Sequence, residues 1–109
     1  MDEILEELLT TPGVQGTVIV DRDGLLISSA GAVESPDALG AEFAEVFKSL
    51  ENDSRGTLSL ISLEAASGNI FMSNINDVTF LVVQTGEQVN LGRIRYDIRH
   101  ASGRLKDEL

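Results

Sequence analysis

His100 is the sole histidine of the chain, and imidazole is the side chain that most readily moves protons near neutral pH. To act as a base it needs a nucleophile and an orienting acid within reach. On a helical wheel it lies opposite the Leu91, Ile98 and Leu105 stripe, which makes it a solvated surface residue. Ser28-Ser29 sits at the end of a strand-like run and lacks a nucleophile-elbow pattern. Gly86 and Gly92 belong to no phosphate loop, because Gly-Lys-Ser/Thr is absent. Asp21 and Asp23 invite a calcium-loop reading, but with Gly24 at the sixth position the first ligand would be Ile19, which has no side-chain oxygen. The 18 acids show no spacing that specifies a metal site, and the absence of cysteine removes thiolate ligands and thiol nucleophiles. The chain therefore reads as non-catalytic, with no cofactor, no metal and no catalytic residue.

Two short motifs point toward the secretory pathway. Lys106-Asp107-Glu108-Leu109 matches a retention signal of the endoplasmic reticulum, and Asn52-Asp53-Ser54 matches a glycosylation sequon. Both need a signal peptide, whereas Met1-Asp2-Glu3-Ile4-Leu5-Glu6-Glu7 is acidic where such a peptide is basic. No run approaches the roughly 18 apolar residues of a membrane span. The last four residues read as the end of a charged helix. With 109 residues, 42% hydrophobic and 24% charged, the expectation is a single globular domain over 1–109, soluble and cytoplasmic. A net charge of −10, 5% aromatics and no tryptophan argue against nucleic acid as a partner.

The elements follow from periodicity. Ile4, Leu5, Leu8 and Leu9 have helical spacing, and Pro12-Gly13 stops that helix. Thr17 to Val20 and Leu25 to Ser28 are strand-like, joined through the Asp21-Arg22-Asp23-Gly24 turn. Ser35-Pro36-Asp37 opens a second helix whose stripe is Leu39, Phe43, Val46, Phe47 and Leu50, closing over 52–56. Three strands are expected at Leu58 to Leu63, Ile70 to Ile75 and Thr79 to Gln84, with turns at 66–69 and 76–77. Phe80 to Val83 is apolar without alternation, as in a central strand covered on both faces. Asn90 caps a last helix carrying Leu91, Ile94, Ile98, Ala101 and Leu105. The order is α-β-β-α-β-β-β-α, and hairpin-length connections imply an antiparallel sheet with helices burying their stripes on it.

Pro12-Gly13-Val14-Gln15-Gly16 before the first strand, the Asp21 to Gly24 turn and Thr79 to Val83 carry a resemblance. So do Asn90-Leu91-Gly92, Ile94-Arg95 and Ile98-Arg99 in the last helix. In this order and spacing they make nearly the whole chain resemble the roadblock/dynein light chain domain, particularly small prokaryotic members that accompany Ras-like GTPases. The resemblance implies an α/β/α sandwich around a five-stranded antiparallel sheet, dimerising through the second helix and the adjacent third strand. It implies a homodimeric regulatory or scaffold module for a small Ras-like GTPase, able to co-activate hydrolysis by positioning groups the GTPase owns. The alternatives are a structural adaptor of the motor-complex light-chain kind and a small-ligand sensor.

Two surface features remain. Gly40 and Ala44 lie beside the stripe of the second helix with Phe47 at its boundary, and glycine inside a helix costs about 1 kcal/mol against alanine. The pair suits either a tight fit on the chain's own sheet or a second helix, and the resemblance favours the second helix. Together with the apolar third strand this gives Gly40, Ala44, Phe47, Leu58 and Leu60 as the expected dimer interface. The same resemblance places the GTPase on Ala41, Glu45 and Lys48. The second feature is charge segregation: residues 1–92 hold three bases against fifteen acids, while 93–109 hold five against three. Cations suit a helix C-terminus, but Arg95, Tyr96 and Arg99 share one flank and form a rival docking face.

Overall fold

Thr17-Val18-Ile19-Val20 and Phe80-Leu81-Val82-Val83 carry no polar alternation because helices cover both faces of the strands they form. The structure is a computed structural model that describes residues 1–53 and 58–109, with only the backbone of 53. Its elements are α1 (Asp2–Leu8), β1 (Val14–Asp21), β2 (Leu26–Gly31), α2 (Pro36–Asp53), β3 (Leu60–Ala65), β4 (Gly68–Asn74), β5 (Thr79–Thr85) and α3 (Leu91–Glu108). All sheet neighbours are antiparallel in the order β2-β1-β5-β4-β3, so β5 is central and β2 and β3 are edges. The element order and the five-stranded antiparallel sheet are those expected from the sequence. The expected end of the second helix over 52–56 and the Asn52 sequon fall largely outside the described residues.

Alternate residues of β1 and β5 feed two cores. Ile19, Phe71, Leu81 and Val83 face α1 and α3, meeting Ile4, Leu5, Leu8, Ile94, Ile98 and Leu105. Val18, Val20, Met72, Phe80 and Val82 face α2, meeting Phe43 and Phe47. The Phe47 and Phe80 ring centroids are 4.4 Å apart at 33°, a contact worth about 0.5–1.5 kcal/mol beyond its buried area.

The turns are built by side chains. Asp21 Oδ1 accepts from the backbone N–H groups of Asp23 (2.9 Å) and Leu25 (3.0 Å), and Gly24 supplies a φ of 90°. Asp21 thus serves the turn, which is what the failed calcium spacing implies. The β3–β4 turn is tighter than expected, because Ala65 already pairs with Gly68. Strand β3 correspondingly starts at Leu60 rather than Leu58. Ahead of it, Asn74 reaches across, its Nδ2 donating to the Leu58 carbonyl at 3.2 Å and its backbone N–H to that of Ser59 at 2.9 Å. Asn90 Oδ1 caps α3 by accepting from the Arg93 N–H at 3.0 Å. No helix among the described residues is long and apolar enough to cross a membrane.

Candidate functional site

Helix α2 begins at Pro36, and its sheet-facing arc is Gly40, Phe43, Ala44 and Phe47 at the i, i+3, i+4, i+7 spacing. Of the two fits open to the Gly40 and Ala44 pair, the single chain shows the one against its own sheet. A Cβ on Gly40 would stand 3.1 Å from Val20 Cγ2 and 3.2 Å from Val20 Cβ, so the glycine exists for the chain's own β1. Ala44 and Phe47 are likewise buried, at 1% and 0% exposure. A helix lying on a flat sheet buries a wider arc than a helix–helix seam, and the small pair falls inside that arc. In the single chain, Gly40, Ala44 and Phe47 are therefore taken up by the contact with its own sheet.

What α2 leaves uncovered is more informative. Five strands span about 19 Å across the sheet, at about 4.8 Å per step. A helix with its side chains is about 10 Å wide. Among the described residues, two helices share one face and α2 alone lies on the other, over β1, β2 and β5. A lane one helix wide is left over β4 and β3. Its floor is Ile61 and Ile70, both half-buried, and Leu63, 45% exposed. Its wall is the α2 flank of Leu39, Val46 and Leu50, the last 42% exposed. Alternation along β3 turns Leu60 to the α1/α3 core, while Leu58 packs on the α2 side with Ile61. Among the described residues, no strand lies beside the outer edge of β3.

The sequence reading took in Ile61, Leu63 and Ile70 only as parts of the strands Leu58 to Leu63 and Ile70 to Ile75, and assigned Leu39, Val46 and Leu50 to the core stripe. The signal that could have found them is the imbalance of one helix against two on a five-stranded sheet.

Ala41 and Glu45 are exposed and Lys48 is half-buried, and all three share the outward side of α2. The Lys48 ammonium pairs with Glu45 Oε1 at 3.0 Å, and Ala41 leans on the Asp21–Gly24 turn, its Cα 3.3 Å from where a Gly24 Cβ would be. This surface is shallow and mixed in charge. It does not adjoin Arg95, Tyr96 and Arg99, which lie on α3 across the sheet. Tyr96 is 69% exposed and stacks parallel on His100 with centroids 6.4 Å apart, which leaves the histidine on the surface as its wheel position requires.

A cleft of about 360 Å³ separates α1 from α3, lined by Thr11, Arg93, Asp97, His100 and Arg104. Burial pushes the Asp97 carboxyl up, but hydrogen bonds from Arg93 Nε (2.8 Å) and Thr11 Oγ1 (2.8 Å) outweigh it and hold the group below the usual carboxylate range. The hydrogen bond from Arg104 lowers Glu7 in the same way. Both cations of this cleft are thus engaged within the chain. No cluster of metal-binding side chains occurs among the described residues.

The geometry is matched by known proteins. A protein of Methanocaldococcus jannaschii is 33% identical over 112 residues, covering 97% of this chain and 96% of its own length. A Roadblock/LC7 domain from Streptomyces avermitilis superposes with a TM-score of 0.90 at 20% identity, covering 99% of this chain and 96% of that one. MglB from Myxococcus xanthus also gives 0.90, at 22% identity, covering 96% and 90%. The family profile described as Roadblock/LC7 domain matches residues 1–85. The sheet order, the helix arrangement and these matches together establish that the chain belongs to the Roadblock/LC7 domain family.

Proposed function

We propose that residues 1–109 act as one non-catalytic domain that forms a homodimer and regulates or scaffolds a small Ras-like GTPase. The observation that carries the dimer is the uncovered lane. It is one helix wide, floored by Ile61, Leu63 and Ile70, and it runs beside an unpaired strand edge. A second copy satisfies both at once: β3 pairs with its counterpart across a two-fold, and each α2 settles into the other's lane. In this arrangement Leu60 contributes as the first residue of β3 and Leu58 from just ahead of it, while Gly40 and Ala44 pack on their own sheet.

The GTPase reading rests on family membership and on the resemblance to prokaryotic members that accompany such GTPases. Ala41, Glu45 and Lys48 suit a broad, shallow contact of modest affinity, doubled by the same residues of a second subunit. In this role the protein orients groups the GTPase already owns, because no side chain among the described residues is set up as an arginine finger. The test is pull-down of a co-encoded GTPase, loaded with GTP or GDP, together with nucleotide turnover. Lys48→Glu and Ala41→Arg should each weaken binding about tenfold while the dimer persists. Loss with Tyr96→Ala, Arg95→Ala or Arg99→Ala instead would move the contact to α3. Binding without any change in turnover would leave an adaptor.

A further inference from the structure

Ser73 and Ser102 are buried, at 4% and 8% exposure, and their Oγ atoms lie 2.7 Å apart between β4 and α3. Each hydroxyl carries one proton, and the bond between them uses one of the two. Among the described residues no acceptor takes the other. Both serines line a groove of about 270 Å³ between α3 and the end of the sheet where β3 starts, together with Ser59, Ile75, Arg99 and Lys106. At Gly103 a Cβ would meet nothing within 4 Å, so the mouth of the groove stays open. Arg99 also borders a second groove, of about 590 Å³, with Gly92, Arg95 and Tyr96. Arg95, Arg99 and Lys106 are exposed and, among the described residues, in no ion pair. The acids nearby are Asp107, next in sequence to Lys106, and Asp77, which is hydrogen-bonded to Asn74. Glu64 stands toward the other end of β3.

We propose that these joined grooves hold an extended acidic segment of a second protein, whose carboxylates reach Arg95, Arg99 and Lys106, one of them accepting the spare serine proton. Three observations choose this occupant. In a chain of net charge −10, three unpaired cations along one helix attract the opposite sign. The grooves far exceed the about 30 Å³ of one water, so they fit a stretch of chain and not a lone ion. The third is spacing. Arg95 and Arg99 are one turn apart, about 6 Å along the helix, and side chains on one face of an extended chain recur about every 6.6 Å. Acids at alternate positions therefore meet both guanidinium groups, and Tyr96, 69% exposed, offers the chain between them an aromatic surface. Arg99 borders both grooves and is the central anchor. This flank lies across the sheet from Ala41, Glu45 and Lys48, so the domain can hold such a segment and a partner on α2 together. The inference does not depend on what binds α2.

The test is fluorescence anisotropy of a fluorescein-labelled peptide of alternating glutamate and serine, titrated with the protein at low salt. About eight residues suffice to pass the roughly 16 Å from Arg95 to Lys106. Binding should saturate, and about 0.5 M salt should weaken it at least tenfold. The same peptide with glutamine for glutamate should bind at least tenfold more weakly. Arg99→Glu should cost about tenfold in affinity, Arg95→Glu and Lys106→Glu about threefold each. These side chains are exposed, and circular dichroism checks that the fold is kept. In an NMR titration the amide signals of Ser59, Ser73, Ser102 and Gly103 should move. A peptide that does not bind, binding that survives Arg99→Glu, or signal changes confined to α1 or α2 would overturn the proposal. So would inorganic phosphate that displaces the peptide at the peptide's own concentration, since the groove would then take a lone anion. Retention of the wild type by phosphatidylserine vesicles without peptide binding would overturn it in favour of a lipid surface. The assay contains no GTPase, so its failure is distinct from failure of the α2 contact.

Discussion

Asp97 ties the turn after α1 to α3 through Thr11 and fixes Arg93 on its own helix. Thr11 is 4% exposed, so Asp97→Ala leaves a buried hydroxyl without its acceptor and should cost about 1–3 kcal/mol. In a domain of this size that lowers the melting temperature by several degrees. Asp97 and Glu7 both titrate below their ordinary values in the folded state. Their contribution is therefore present above the usual carboxylate range, about 4, and is lost as pH falls through the lowered folded values. Thermal melts below pH 4 should show this loss, and Asp97→Asn should flatten it. Gly40→Leu is a second test at this scale. Because Val20 occupies the space a side chain would need, the variant should lower stability by about 1–3 kcal/mol whatever the oligomeric state. Nothing in the sequence separates this glycine from one set against another subunit, since helical spacing gives a direction but not the neighbour standing there.

The lane belongs to the scale of elements. Leu63→Arg places a charge where the second α2 would rest, yet Leu63 is 45% exposed in the single chain. The variant should fold, and light scattering should find it monomeric at concentrations where the wild type is dimeric. Ile70→Arg is less clean, because Ile70 packs on Met72 and its cluster. The elements themselves were legible: Phe80 to Val83 announces the central strand, and Ser35-Pro36-Asp37 the start of α2. The span of β3 was not. Asn74, sixteen residues after Leu58, holds that residue ahead of the strand, and Ala65 enters the ladder through Gly68. Such register is set by partners distant in sequence, not by local preference. Coverage was illegible for the same reason, because a stripe records how much a helix buries but not how much sheet it leaves bare.

At the scale of the whole molecule, eighteen acids against eight bases make self-repulsion appreciable when ions are scarce. Raising salt from low to physiological should increase the melting temperature, by screening the carboxylates of α1 and α2. An unchanged value would mean that local pairing already compensates them. The unpaired outer edge of β3 also makes this strand a clock for assembly. In a strand with one neighbour, amides alternate between those that donate to it and those that face away. In a lone subunit the two classes should exchange with deuterium at very different rates, the inward ones slowly and the outward ones almost freely. In the proposed dimer, pairing of β3 with its counterpart should collapse the difference, and the delay before Leu60 to Ala65 loses its two-speed pattern reports how fast the pair forms. Strand β5, held between β1 and β4, should show one slow rate throughout and serve as the internal reference.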